Sequence, residues 1–227
     1  MDIDYQDYYR DRDYLKYKEM FRNIFMMRFR IIKRFINKGR VLEIGCSNGT
    51  FLEIFKNDGW NTLGIEPSQN YKLAGEAGIR VIHEYFEEAR LPKNYFDLVV
   101  LNHTLEHMEN PLKVLRKVNS VLKKDGIVFV DVPNVGSLLS RIMRDKWPYL
   151  LPEEHKWQFT RSSLGEIFER AGFKIIFWKS RSGIFEYANP IKEVGRKRFI
   201  YDIASFPFSL AATALNMGDS MSMIGKK

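Results

Sequence analysis

Cysteine and long apolar runs are scarce in this sequence. The 227 residues include one cysteine, Cys46, so no disulfide can form within the chain. The opening stretch MDIDYQDYYRDRDY is acidic and tyrosine-rich without an apolar centre, so we expect no secretory signal and a cytoplasmic location. Hydrophobic residues make up 45% and charged residues 28% of the chain, values that indicate a globular protein and exclude a fibrous or wholly disordered one.

Acidic residues are absent between Phe21 and Arg40, and the whole chain carries a net charge of +8. Apolar and basic residues recur in this stretch at roughly helical spacing. The apolar members are Phe21, Phe25, Ile32, Phe35 and Ile36, and the basic members are Arg22, Arg30, Lys33, Arg34 and Lys38. We therefore predict an N-terminal helical lid at residues 1–38 that contains a basic amphipathic helix. This helix either packs on the domain with a solvated basic face, which we favour, or contacts an anionic membrane or nucleic acid.

Beyond residue 38, apolar runs of strand length alternate with helical patterns. The helical patterns are NGTFLEIFKNDG, NPLKVLRKVNSVLKKDG and TRSSLGEIFERAG, and the first two have typical start and stop residues. The alternation is typical of a parallel sheet with crossover helices, so we predict one α/β domain at 39–227. The predicted strands are RVLEIG, NTLGIEP, RVIHEY, FDLVVLN, GIVFVDVP, FKIIFWKS and SMSMIGK.

A glycine-containing loop, GCSNG, joins the first predicted strand to the first helix after it. Its glycines are Gly45 and Gly49, whereas a dinucleotide fingerprint would also require glycine in place of Ser47 and Thr50. Glu66 follows Gly45 by twenty-one residues at the end of the second strand, where a carboxylate can accept hydrogen bonds from ribose hydroxyls. These features favour a ribose-bearing cofactor that lacks a pyrophosphate.

Four blocks of the sequence resemble the class I S-adenosylmethionine-dependent methyltransferases, small-molecule branch. These are VLEIGCSNGTFL, LGIEPS, FDLVVLNHTLEHMENPLKVLRKVNSVLKKDGIVFVDVPN and WPYLLPEEHKWQFTRSSLGEIFERAGF, and the resemblance covers about Gly39 to Lys179. It implies S-adenosylmethionine as the cofactor. It also implies a Rossmann-like methyltransferase fold, with a seven-stranded, mostly parallel sheet and helices on both faces.

The resemblance also implies a position for each part of the cofactor. The methionyl part lies against the first motif, whose residues are Glu43, Gly45, Cys46, Ser47, Asn48 and Gly49. Within that motif, Glu43 helps to hold the amino group. The adenosine lies against Glu66, Pro67 and Ser68, with the adenine near Phe86 and Glu87. The sulfonium and the acceptor lie beside Asn102 and His103. We interpret Cys46 as a small loop residue and not as a nucleophile, because no activating base is near it in sequence.

Histidine is rare, and three of the four histidines fall in the blocks expected on the substrate side: His103, His107 and His155. A hydroxyl acceptor must lose a proton, so we predict His155 or His107 as the catalytic base. On a helix, His103, Glu106 and His107 would share one face as a workable metal-ligand set. Ubiquinone-biosynthesis O-methyltransferases, which this stretch resembles, imply two glutamates and a histidine as metal ligands. This chain has His103 in place of the first glutamate, so we predict no metal site.

A second unusual segment lies between the last two predicted strands. A basic cluster, GRKR, precedes the nineteen residues from Phe199 to Met217, in which Asp202 is the one charged residue. Asp202 and Pro207 interrupt this stretch, so we predict helices that cap the substrate pocket, within an insertion at about 183–217, and not a membrane span. Peripheral membrane contact through this cap or through the N-terminal helix stays open.

Together these features predict a methyltransferase that acts on a small-molecule acceptor. The expected acceptor is a hydroxyl oxygen on a sugar, a phenol or quinone precursor, or a lipid-like molecule. An isoelectric point near 9.4 suggests RNA methylation as an alternative, but we find no RNA-binding module, so a nucleic-acid partner is not expected. A nicotinamide-dependent sugar-modifying enzyme and a noncatalytic scaffold are further alternatives. The identity of the acceptor and the oligomeric state are not encoded in any motif.

Overall fold

The computed structural model describes residues 16–227, so residues 1–15 of the predicted lid lie outside the described residues. The helices are α1 Lys18–Ile32, α2 Thr50–Asn57, α3 Tyr71–Glu76, α4 Pro111–Val121, α5 Leu138–Met143, α6 Arg161–Arg170, α7 Lys197–Ala204 and α8 Phe206–Ala214. The strands are β1 Arg40–Ile44, β2 Asn61–Ile65, β3 Val81–Ile82, β4 Phe96–Asn102, β5 Leu122–Pro133, β6 Lys174–Arg181 and β7 Ser220–Lys226. Short 3-10 turns span Leu105–His107, Arg144–Lys146, Gly183–Glu186 and Pro190–Glu193.

The strands form one seven-stranded sheet in the order β3-β2-β1-β4-β5-β7-β6. Strands β1 to β5 run parallel, whereas β7 pairs antiparallel with both β5 and β6. The expected seven-stranded, mostly parallel fold is therefore confirmed. The strand order reverses between β1 and β4, where Ile44 lies opposite Leu101. Ligands of open α/β sheets bind at such a reversal, and the predicted GCSNG loop and Asn102 both leave the sheet there.

Alternating residues of the central strands face two separate cores. In β4, Val99 and Leu101 face the core that contains α4 and α6, while Leu98 and Val100 face the core that contains α1 and α2. Successive side chains of a strand point to opposite faces, so a continuous apolar run is what a sheet covered on both sides requires.

Helix α1 packs on α2 through aromatic rings. Phe25 stacks on Phe51 with ring centroids 5.1 Å apart, and Phe29 meets Phe55 edge to face at 5.0 Å. Basic residues at the start of the same helix pair with an acid of α2, since Lys18 Nζ lies 3.0 Å and Arg22 Nη1 lies 3.4 Å from the carboxylate of Glu53. Helix α1 thus packs on the domain, which is the alternative that we favoured from its sequence.

Two element boundaries differ from the sequence predictions. Helix α4 ends at Val121 and β5 begins at Leu122, four residues before the predicted start at Gly126, because Leu122 is fully buried and pairs with Phe96 of β4. The predicted strand RVIHEY is reduced to the two residues of β3. Only Val81 and Ile82 pair with β2, so strand pairing limits β3 to fewer residues than the local sequence pattern predicts.

The insertion between β6 and β7 contains two short helices, α7 and α8, that meet at Ser205. Within residues 16–227, no helix has the length and apolar character needed to cross a bilayer. Pro207 stands in the first turn of α8, a position that a helix tolerates.

Replacing Phe29 with alanine should lower the free energy of unfolding by about 3–5 kcal/mol, because the lost ring leaves a cavity between α1 and α2. Urea unfolding measures this change. Ile142, which is 63% exposed, provides the control, and Ile142→Ala should change stability by less than about 0.5 kcal/mol. A similarly small effect of both substitutions would contradict the packing role of α1.

Candidate active site

A cavity of about 1200 Å³ opens at the carboxyl ends of β1, β2 and β4. Small-ligand sites typically measure about 300–1,000 Å³, so this cavity has room for a cofactor and an acceptor together. Residues of α1 and of the segment 183–209 contribute further walls. The predicted site residues that line it are Gly45, Ser47, Glu66, Pro67, Ser68, Phe86, Glu87, Asn102, His103, His107 and His155.

The loop after β1 passes tightly beneath this cavity. Gly45 has a left-handed φ of 71°, and a Cβ there would lie 2.8 Å from the Thr104 side chain, so a larger residue does not fit. The Gly45 amide donates to the carbonyl of Ile65 at 2.8 Å, which ties the loop to β2. Gly49 is also left-handed, but a Cβ there would meet Ala74 of α3 at 3.0 Å. Gly49 therefore shapes the turn, and it is not among the residues that line the cavity.

Glu66 links the loops that follow β1 and β2, where the adenosine is expected. Its carboxylate accepts from the backbone amide of Ser47 at 2.7 Å and from that of Ser68 at 2.8 Å. Each carboxylate oxygen has a second lone pair, and the residue lines the cavity. The side chain thus fixes the loops and still has acceptor capacity for hydroxyls.

A small pocket of about 20 Å³ extends from the loop after β1 to Glu43. The buried oxygens Glu43 Oε2 and Asn102 Oδ1 both border it, and neither has a hydrogen-bond donor among residues 16–227. Burial, reinforced by the charge of Glu66, raises the pKa of Glu43 well above its usual value. An ammonium group would give these acceptors donors and a compensating charge, so the donor-poor pocket fits the amino group of the expected cofactor.

Two further residues of the first motif, Cys46 and Asn48, are buried within the loop. Asn48 Oδ1 accepts from the Thr50 amide at 3.1 Å and from its hydroxyl at 2.7 Å, which fixes the start of α2. Cys46 is buried, and burial together with the charges of Glu43 and Glu66 raises the pKa of its thiol. Cys46 is therefore unsuited to act as a thiolate nucleophile.

The loop after β3, where the adenine is expected, is stabilised by Lys117, a residue that the sequence analysis did not identify. Lys117 Nζ donates to the carbonyls of Phe86, Glu87 and Ala89, and it lies 4.8 Å from the centroid of the Phe86 ring. Phe86 is buried whereas Glu87 is exposed. The contacts stabilise the loop in which the adenine is expected.

His103 occupies a strained position directly after β4. Its φ of 51° is left-handed, and its backbone amide donates to the Asp131 carbonyl at 2.8 Å. The ring lies 3.4 Å from both Glu106 Oε1 and Asp131 Oδ1. Burial acts to lower the pKa of His103, but the contacts with these carboxylates outweigh burial and raise it to about 10. His103 is therefore a cation at neutral pH and is not a suitable base.

Arg28 of α1 is a site residue that the sequence analysis missed. It is buried, its Nε lies 3.3 Å from Asp131 Oδ2, and its Nη2 lies 3.0 Å from Glu186 Oε2. Burial opposes ionisation of Asp131, but Arg28 and His103 hold the pKa of this carboxyl well below its usual value. A signal was present in the sequence, since Arg28 interrupts the apolar stripe of α1 three residues after Phe25.

The histidines predicted as the base, His107 and His155, lie together on the wall of the cavity. The rings of His107 and His155 meet edge to face at 4.9 Å, although the residues are 48 positions apart. The Nδ1 atom of His155 lies 2.9 Å from the Tyr149 carbonyl, and that of His107 lies 3.0 Å from the Glu154 carbonyl. A carbonyl can only accept, so each Nδ1 carries the proton and the neutral ring has its lone pair on Nε2.

The helical metal-ligand set considered above does not form. His103 is left-handed and His107 ends a 3-10 turn, because helix α4 begins only at Pro111. The group that forms instead contains Glu106, His107 and His155, whose candidate ligand atoms lie within 4.8 Å of one another. The buried oxygens of Glu106 have no hydrogen-bond donor among the described residues, although His103 forms an ion pair with Oε1. This carboxylate therefore places a negative charge beside both histidines.

Comparison with known proteins agrees with this architecture. The sequence model of a family described as a methyltransferase domain matches residues 17–176. An uncharacterized protein of Methanocaldococcus jannaschii is 28% identical over 172 residues, which are 75% of this chain and 81% of that protein. C-methyltransferase NovU of Streptomyces niveus is 29% identical over 142 residues, which are 60% of this chain and 33% of that protein.

Two further relatives have names that indicate other acceptors. A tRNA U34 carboxymethyltransferase of Campylobacter jejuni subsp. doylei is 29% identical over 65% of this chain and 55% of that enzyme. A ubiquinone biosynthesis O-methyltransferase of Yersinia enterocolitica is 31% identical over 42% of this chain and 43% of that enzyme. This chain thus spans between a third and about half of the three named enzymes.

Solved structures match nearly the whole chain. A SAM-dependent methyltransferase from Thermotoga maritima has a TM-score of 0.68 at 20% identity and covers 96% of this chain and 98% of its own. Phosphoethanolamine N-methyltransferase 2 of Haemonchus contortus, solved with S-adenosyl-L-methionine, has a TM-score of 0.68 at 18% identity and covers all of this chain and 60% of its own. At these identities the likeness shows the fold.

The contribution of His103 to stability should decrease as the pH rises. Its pKa of about 10 in the folded state exceeds the ordinary value of 6.5, so its stabilising effect is complete below pH about 6.5 and is lost as pH rises toward 10. The difference in unfolding free energy between the native protein and His103→Gln should therefore be larger at pH about 6 than at pH about 10. Urea unfolding at both pH values measures it, and an equal difference at both would contradict the ion-pair assignment.

Glu66→Gln should weaken the binding of S-adenosylhomocysteine at least about tenfold, which corresponds to about 1.4 kcal/mol. The amide nitrogen of glutamine cannot accept from a backbone amide, and the carboxylate charge is lost. Isothermal titration measures the affinity, with Glu84→Gln as the control because Glu84 is exposed and is not among the lining residues. Unchanged affinity in a folded Glu66→Gln protein would overturn the ribose assignment.

Proposed function

The chain belongs to the methyltransferase-domain family of class I S-adenosylmethionine-dependent methyltransferases, and on this premise we propose that it methylates a hydroxyl oxygen of a small molecule. The acceptor classes that we consider are sugars, phenol or quinone precursors, and lipid-like alcohols. The family supports the cofactor and the transfer of a methyl group, while the nature of the acceptor atom is our proposal.

The observation that carries the proposal is the environment of His155. The residue lines the same cavity as the cofactor loop, and its Nδ1 atom is tied to the Tyr149 carbonyl. Burial lowers the pKa of His155 below its usual value, so the ring is neutral at physiological pH and has a lone pair on Nε2. A neutral imidazole at the acceptor end of the cavity is suited to remove a hydroxyl proton.

Glu106 gives His155 electrostatic support. The pKa of Glu106 is lowered, since its contact with His103 outweighs the opposing effect of burial, so the carboxylate is ionised. Its charge favours the imidazolium that forms when His155 takes a proton. His107, whose ring contacts His155, is the second candidate for the base.

Cofactor binding is proposed for the residues at the sheet reversal. S-adenosylmethionine supplies a methyl group on a positively charged sulfur. Glu43 and Asn102 would accept from its amino group, and Glu66 would accept from its ribose. By binding cofactor and acceptor in one cavity beneath α1 and the segment 183–209, the protein would align the reacting groups and exclude water.

His155→Gln should reduce turnover at least about a hundredfold, the lower end of what general-base catalysis contributes, while leaving the affinity for S-adenosylhomocysteine within about twofold. Glutamine retains a donor for the Tyr149 carbonyl but cannot take up a proton. Release of S-adenosylhomocysteine during a screen of hydroxylated acceptors measures turnover. In the native enzyme, turnover should fall as the pH drops through the lowered pKa of His155.

His107→Gln is the matched comparison, because it removes the neighbouring imidazole. Loss of turnover in His107→Gln with full turnover in His155→Gln would move the base to His107. Cofactor binding without turnover on hydroxyl, amine, carbon or RNA acceptors would instead favour the scaffold alternative.

Methylation of RNA is the second candidate, because a tRNA-modifying enzyme is among the relatives and the chain has a net charge of +8. Binding to phosphates makes affinity fall steeply with salt concentration. Filter binding of transfer RNA at low and physiological salt tests this candidate. Tight binding with a steep salt slope, together with methylation of the RNA, would replace the small-molecule proposal.

We further propose a cytoplasmic location. The lone cysteine, Cys46, is buried as a free thiol, and such cysteine usage is typical of a reducing compartment.

A further inference from the structure

The helices α7 and α8 show an inverted burial pattern. Among the side chains that the structure describes in these two helices, the buried ones are those of Asp202, Ser209 and Ala212, whereas a typical surface helix buries its large apolar side chains. Between residues 191 and 215, large apolar side chains are instead exposed. They are Ile191, Val194, Ile200, Tyr201, Ile203, Phe206, Leu210 and Leu215, here called the cap patch.

The concentration of exposed apolar residues in this one segment distinguishes it from an ordinary surface. Ile200 is 69% exposed, Tyr201 76% and Ile203 57%. Scattered single apolar residues are normal on a protein surface, but a cluster of this kind marks a surface that contacts another partner or a membrane. The inward side of the same helices lines the cavity with Asp202 and Ser209.

The charges around the cap patch identify its partner. Both acidic residues of the segment 189–217 are buried, with Glu193 paired to Arg196 at 3.2 Å and Asp202 accepting from the Tyr187 hydroxyl at 3.1 Å. Lys192 is exposed, and the basic run GRKR follows it in the sequence at 195–198. From α1, the exposed Arg30 donates to the Ala188 carbonyl at 2.8 Å, which brings a further cation to the edge of the cap.

From this combination we propose that the cap patch docks on an anionic lipid bilayer. Apolar side chains with a basic border insert shallowly at the boundary between headgroups and acyl chains, and the basic residues are attracted to anionic lipids. Tyr201 suits this boundary because its ring is apolar and its hydroxyl is polar. Docking in this orientation places the cavity wall that contains Asp202 and Ser209 next to the bilayer surface.

Co-sedimentation with vesicles tests the proposal without any methyl acceptor, so its failure would leave the proposed chemistry untouched. The native protein should bind vesicles made of equal parts phosphatidylglycerol and phosphatidylcholine. Binding to vesicles of phosphatidylcholine alone should be at least about tenfold weaker, and high salt should reduce binding to the anionic vesicles.

The variant Ile200→Ser/Ile203→Ser should lose at least about tenfold in vesicle binding, because both side chains belong to the cap patch. Ile142→Ser is the matched control, since Ile142 is 63% exposed but lies in α5, outside the cap patch. Both variants should bind S-adenosylhomocysteine as the native protein does, which shows that they are folded.

Four results would overturn the docking proposal. The first three are the absence of native binding to anionic vesicles, equal binding to neutral vesicles, and equal binding by the double variant. A fourth is self-association in light scattering that the double variant abolishes while vesicles are ignored, because a second copy of the chain would then cover the cap patch.

Discussion

The buried carboxylate of Asp131 is the group whose contacts organise the proposed acceptor half of the cavity. It lies at the end of β5 and contacts Arg28 of α1, His103 after β4, and the hydroxyls of Ser220 and Ser222 on β7. A buried charge without partners would be strongly unfavourable, so the elements that supply these partners must adopt their observed positions together. Removing one partner would leave the others with uncompensated charge, which couples the position of α1 to the sheet.

The proposed cofactor half of the cavity has a different physical basis. Its loops are set by backbone hydrogen bonds and by left-handed glycine, with Glu66 bridging the amides of Ser47 and Ser68. Such local constraints need few long-range ionic contacts. The two halves meet at Asn102 and His103, where one residue borders the small donor-poor pocket and the next enters the ionic network.

Much of the fold, and the convergence of Gly45, Ser47 and Glu66 on one cavity, could be predicted because both depend on local spacing in the sequence. The apolar run of β4, the punctuation around α2 and the separation of Gly45 from Glu66 are visible in the sequence. The contact between His107 and His155 could not be predicted from the sequence, since no local pattern relates positions 48 residues apart. His103 and Glu106 do not share the face of a helix, as the metal-ligand arrangement would have required. The His103 amide donates to the Asp131 carbonyl, and helix α4 begins only at Pro111. Arg28 could be noticed as a charge on an apolar stripe, but its partners come from segments more than 100 positions away.

The sequence separation of the Arg28 contacts bears on the order of folding. Its hydrogen-bond partner Ser220 lies 192 positions further along the chain, and Asp131 lies 103 positions further along. Contacts between distant segments form slowly because a large loop must close first. During synthesis, β1, β2 and β4 can pair and build the cofactor loops while Arg28 still lacks its counterparts. The ionic contacts of Arg28 are therefore late events, although α1 can pack on α2 early because Phe25 and Phe51 are only 26 positions apart. A nascent chain thus builds the loops at the reversal of strand order before the ionic network around Asp131 exists.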